Sequence, residues 1–170
     1  MRLTALLAAL ALCAASPVLA QTAAPAKGAP VSEVRAWLTG LGGTVAEPEV
    51  DASTQTLKVA DQPLPWTLTF YNCTGAGPCD DVQYSAAFSG GVTLDQVNAW
   101  NRNARYAKAF FVPAGDGGEA GAVLQYDLVL TSTGTGQLQE PTAIWLQMLR
   151  GFAGSLVQAA APAGGKHCLS

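Results

Sequence analysis

The chain has 170 residues, 49% of them hydrophobic and only 12% charged, about half the usual charged share, and this length holds one domain with a core rather than two. Nine Lys and Arg stand against twelve Asp and Glu, a formal net charge of −3, and the absence of a basic stripe argues against a nucleic-acid partner. The one histidine, His167, excludes a metal site built from several histidines and leaves little for a buried catalytic triad.

Residues 1–20 read MRLTALLAALALCAASPVLA. Arg2 gives a positive start, residues 3–15 an apolar run, and Pro17 a helix break. Val18 and Ala20 are the small residues of a cleavage point. The run is shorter than the ~20 residues of a spanning helix. Cys13 follows Leu12 in mid-segment, which does not fit a lipid-modified cysteine. The order predicts a secretory signal peptide cut after Ala20, with no twin arginine and no later run of membrane length. The expected protein is periplasmic or secreted, has no membrane span after cleavage, and works in an oxidising compartment. Residues 21–30 (QTAAPAKGAP) read as a flexible leader and residues 159–170 (AAAPAGGKHCLS) as a flexible tail. Residues 31–158 are left as a single domain without internal repeats.

Ser32 is placed to cap a first helix with Glu33 in its first turn, and Val34, Trp37, Leu38 and Leu41 follow on one face. Gly40, Gly42 and Gly43 end it. Weak extended pieces come next, around residues 44–50 and 56–60, and the link at 61–65 (DQPLP) is expected to break any pairing. Residues 66–73 (WTLTFYNC) and 79–89 alternate strictly around the turn at 74–78 (TGAGP), which predicts a β-hairpin. Thr93 and Gln96 form a capping box before Leu94, Val97, Trp100 and Ala104 at helical spacing. A strand is expected at 106–112, stopped by Pro113, then a loop at 114–121 and a returning strand at 122–131. After a polar turn at 132–137, Pro141 suits the first position of a last helix. Ile144, Trp145, Met148, Phe152 and Leu156 form its apolar stripe. The order α-β-β-β-α-β-β-α predicts an α+β domain, an antiparallel sheet with packed helices. Trp37, Trp66, Trp100 and Trp145 fall one to an element, as core anchors do.

The stretch at 94–107 has the pattern L-x-x-V-N-x-W-N-x-x-x-R-Y-A. With the two alternating strands before it, this run resembles the YbjN family, a bacterial family whose name carries a proposed role in sensory transduction. The resemblance covers residues 31–158. It implies a fold similar to that of type III secretion chaperones, a protein or peptide as partner, and no enzymatic activity or cofactor. The chain departs from the family in the loop at 114–121 and the stretch at 47–56. The paired cysteines also resemble those of exported members.

Cys73 and Cys79 flank five residues of turn chemistry. In an antiparallel hairpin they sit opposite each other within disulfide reach. The rival readings are a redox dithiol, which usually has two intervening residues at a helix start, and half of a zinc site, which needs two more ligands. Cys168 is the odd thiol, next to Lys166 and His167 in the tail. Free or intermolecularly paired, it lacks the third group of a catalytic pair. Asp116 and Glu119 sit in a glycine-rich loop without the alternating oxygens of a calcium loop.

Asn101 and Arg105, one turn apart, are the candidate partner-binding residues, suited to a carboxylate or backbone group. Against this stands a structural role, with Asn101 ending the helix and Arg105 covering apolar surface with its stem, which the residues by themselves favour. The expected function is an exported non-enzymatic binding module, chaperone-like or regulatory. The alternatives are an envelope component cross-linked through Cys168 and, less favoured, a small hydrolase using carboxylates, because the acids are scattered in turns.

Overall fold

A computed structural model describes residues 27–51, 53–60, 64–75 and 77–160. The expected signal peptide, most of the expected leader and Cys168 lie outside the described residues. The elements in chain order are β1 (Ala29–Pro30), α1 (Val31–Gly40), β2 (Glu49–Asp51), β3 (Thr54–Val59), β4 (Trp66–Cys73) and β5 (Pro78–Ser89). There follow α2 (Leu94–Asn103), β6 (Lys108–Val112), β7 (Gly121–Val129), a 3-10 turn at Thr135–Leu138 and α3 (Gln139–Ala160).

The strands form one antiparallel sheet in the order β2-β3-β4-β5-β7-β6. This is the expected α+β class, with more strands than expected. The two weak pieces are separate strands, β2 and β3, and they pair with each other. The link at 61–65 does not break pairing, because Leu57 faces Leu68 and Val59 faces Trp66 across it. Pro65 lies just before β4 and outside the ladder, so it takes no donor from the pairing.

The alternation of the long strands divides the sheet by chemistry. Leu57, Leu68, Phe70, Val82, Tyr84 and Leu124 are fully buried beneath α1 and α3. The opposite face carries polar side chains that bond across strands, such as Gln83 to Asp127 and Gln125 to Gln83. Trp145 of α3 is the largest buried side chain and meets Trp66 and Tyr84 at ring separations of 6.2 and 5.7 Å. The indole N–H groups of Trp66 and Trp145 are both buried without a partner. No helix among the described residues is long and apolar enough to cross a membrane.

Several ends differ from the sequence expectation. Helix α1 begins at Val31 after Pro30, so Ser32 is already helical and caps nothing. Its C-terminus is a Schellman turn. Gly42, at φ +95°, donates to the Thr39 carbonyl and Gly43 to that of Leu38. Leu41 holds the cap position and leaves the buried stripe, 67% exposed. Leu94 is also exposed, because it is the first helical residue and burial in α2 starts a turn later at Val97. Helix α3 starts at Gln139, so Pro141 is its third residue, and it runs to Ala160, into the segment expected as tail.

The last residues of the expected leader are docked. Ala29 pairs with Cys79 and Pro30 with Pro78, on the side of β5 that β7 vacates. Gly28 donates to the Ser132 carbonyl at 2.8 Å and accepts from Gly134 at 2.8 Å.

Candidate functional site

The capping box at the start of α2 is present, with Thr93 Oγ1 accepting from the Gln96 N–H and Gln96 Oε1 from that of Thr93. Gln96 also reaches α3, donating from Nε2 to the Leu156 carbonyl at 3.3 Å. One turn on, the Trp100 ring lies edge to face on Phe152, centroids 5.2 Å apart. Its indole N–H donates to the Ala107 carbonyl at 3.2 Å. At the end of the helix Lys108 Nζ donates to the carbonyls of Asn101 and Ala104, satisfying acceptors that a helix C-terminus leaves open.

The two candidate residues have different surroundings. The Asn101 amide is engaged twice by one residue, donating from Nδ2 to the Ala109 carbonyl at 2.8 Å and accepting from the Ala109 N–H at 2.9 Å. It clamps the end of α2 to β6, which leaves its amide little capacity for a partner. Arg105 is exposed, with its guanidinium 5.5 Å above the Tyr106 ring.

Arg105 lines a groove of about 420 Å³ between the end of α2 and α3. Trp100, Asn103, Tyr106, Met148 and Gly151 form much of its wall. Residues 96–115 include Arg102, Arg105 and Lys108 and no acid. The ion pairs among the described residues, Arg35 with Glu47 and Lys58 with Glu49, involve other elements. This groove therefore joins an aromatic wall to a cation with no carboxylate partner among the described residues. A larger concavity of about 520 Å³ lies beside the start of β4, but its one charged residue, Lys58, is held by Glu49.

From the groove a row of rings runs inward. Tyr106 meets Tyr126 at 6.4 Å, Tyr126 stacks on Tyr84 at 5.9 Å, and Tyr84 stacks on Trp66 at 5.7 Å. The Tyr84 hydroxyl sits 2.8 Å from Thr142 Oγ1. Burial pushes the Tyr84 phenol up to about 12, although the bond to Thr142 opposes the shift. Tyr126 is also raised, by desolvation first and then by Tyr106 and Glu140.

Cys73 and Cys79 face each other in register and form a disulfide. It closes the β4–β5 hairpin beside β1, away from the groove, and fits neither half of a metal site nor a helix-start dithiol. Asp116 and Glu119 lie exposed between β6 and β7. The sequence pattern missed β1, and for Asn101 it favoured a structural role at the helix end without naming the strand that it holds. The available signal for Asn101 was an Asn in the last turn of a helix followed closely by a strand.

No curated protein matches the chain significantly. Among solved structures, one described as "Crystal structure of YbjN, a putative transcription regulator from E. coli" is similar. It shares 16% sequence identity, covering 77% of this chain and 91% of that chain, with a TM-score of 0.48. A family model, "YbjN: Putative bacterial sensory transduction regulator", matches residues 30–156. That match takes in α1, every strand of the sheet's main path, α2 and most of α3, and the chain belongs to the YbjN family.

Proposed function

We propose that this protein is an exported, non-enzymatic binding module of the regulatory kind, which takes a peptide segment of another protein in the groove between α2 and α3. The observation that carries the reading is Arg105, a cation without a carboxylate partner among the described residues, at the rim of a groove walled by Trp100, Tyr106 and Met148. Such a groove suits an apolar side chain and a nearby carboxylate, with the guanidinium as its donor. The family supports a regulatory role. The hairpin disulfide supports an oxidising compartment, periplasmic or extracellular.

Selection from a random displayed-peptide library tests this reading. The expected binders carry an Asp, Glu or terminal carboxylate beside an apolar residue. Arg105→Ala is expected to weaken them about 10- to 100-fold, the range for a hydrogen bond to a charged group. Its thermal stability should match that of the unsubstituted protein, as for exposed positions generally. Binders that ignore Arg105→Ala would place the partner surface elsewhere.

A further inference from the structure

Strand β6 is the last strand of the sheet, so one side of its backbone has no neighbouring strand. Such an edge is a template for another chain unless something occupies it. The Ala109 N–H is bonded to Asn101 Oδ1 and therefore points away from β7. Strand alternation then turns the N–H and C=O of Ala107, Ala109 and Phe111 to the same open side. Trp100 takes the Ala107 carbonyl, and Asn101 takes both groups of Ala109. A side-chain amide with one donor and one acceptor, used at one residue, reproduces the pair of bonds that a residue of a further strand would make.

We infer that Asn101 is an edge plug, and that the partner it excludes is a second copy of this chain adding its own β6. The argument for a second copy is self-complementarity. An antiparallel pairing of two β6 strands centred on Phe110 sets Ala109 opposite Phe111 of the other copy, with both edge-facing groups of each residue matched. The same register sets Lys108 opposite Val112, so like charges do not meet. Phe110, 48% exposed, would face Phe110 of the second copy, and Val112, 39% exposed, would lie diagonal to that ring and add apolar contact. The bonds available to that pairing at Ala109 are the two that Asn101 holds. The inference concerns the sheet edge and does not depend on the α2–α3 groove.

The test is Asn101→Asp in the full chain, followed by size-exclusion chromatography with light scattering over a range of concentrations. Aspartate retains the acceptor for the Ala109 N–H and sets an anionic oxygen against the Ala109 carbonyl. The unsubstituted protein should remain a monomer and Asn101→Asp should dimerise. Adding Phe111→Pro, which deletes an edge-side N–H without touching the β7 ladder, should return the variant to monomer. A folded Asn101→Asp protein that stays monomeric at every concentration overturns the inference. So does a dimer indifferent to Phe111→Pro. If Asn101→Asp does not fold, Asn101→Ser repeats the test. Failure of both to fold would make Asn101 a simple structural clamp and end the proposal.

Discussion

Tyr84 shows how one buried polar group ties stability to pH. Its phenol titrates near 12 in the folded protein against 10.0 when unperturbed, mainly because burial opposes the charged form. Below pH 10 both states hold the proton, and the residue gives no pH dependence. Between pH 10 and 12 the unfolded chain releases it while the folded chain does not, so stability falls as pH rises. The loss is on the order of 2 kcal/mol across that window. Denaturant titrations at pH 9 and 11.5 should show it, and Tyr84→Phe should flatten the decline. That variant should also cost about 1–3 kcal/mol at neutral pH, because Thr142, itself buried, loses its partner. The burial of Tyr84 was legible in the strand alternation around it. The Thr142 bond was not, because its partner lies 58 residues away and no local pattern reports so distant a contact.

At the scale of elements, legibility followed length. Strands β4 and β5 contain enough residues for periodicity to fix both type and buried face, and helix α2 enough to fix its type and all of its face but Leu94. Strand β1 has two residues, and Ala29-Pro30 carries no period. Its docking is visible only in space, where a Cβ at Gly28 would lie 2.1 Å from the Cys79 carbonyl oxygen and the local φ is +93°. Gly28→Ala therefore meets both a backbone clash and a disfavoured conformation. It should lower stability by about 2 kcal/mol or more in denaturant titration. Gly40→Ala supplies the contrast, with no atom near its Cβ and no positive φ. As the last residue of α1 it should hold stability or raise it by up to about 1 kcal/mol. The α2 motif was likewise legible as a pattern but not as a mechanism. The Trp100 and Asn101 side chains act on backbone groups of residues 107 and 109, beyond the helix that the spacing describes.

At the scale of the molecule, the groove draws on two elements far apart in sequence, α2 with the turn after it and the middle of α3. The sequence alone could nominate Arg105 but not the Met148 and Gly151 opposite it. Their convergence depends on β5 and β7 being neighbours while β6 is sent to the outside. The hairpin path from β2 to β5 and this later insertion were both consistent with the α+β order. Of these, only β4 with β5 could be assigned a pairing, because consecutive strands joined by a short turn usually pair, whereas the prolines of the 61–65 link argued against the pairing of β3 with β4 that the structure has.

That strand order has a kinetic consequence. Strands β2 to β5 pair with their neighbours in sequence, whereas β5 must wait for β7, with α2 and β6 between them. Closing the longer loop costs more chain entropy before any contact forms. The chain should therefore gain its sheet from one side, with the β3–β4–β5 meander ordered first and β7 and β6 added afterward. Pulsed hydrogen exchange during refolding should protect the amides of Leu68 and Phe70 before those of Leu124 and Ala109. Simultaneous protection would mean that the meander has no independent life. If protection is sequential, the early species is a half-built sheet whose β5 flank is open, and every newly made chain passes through that state before α2 can reach its place.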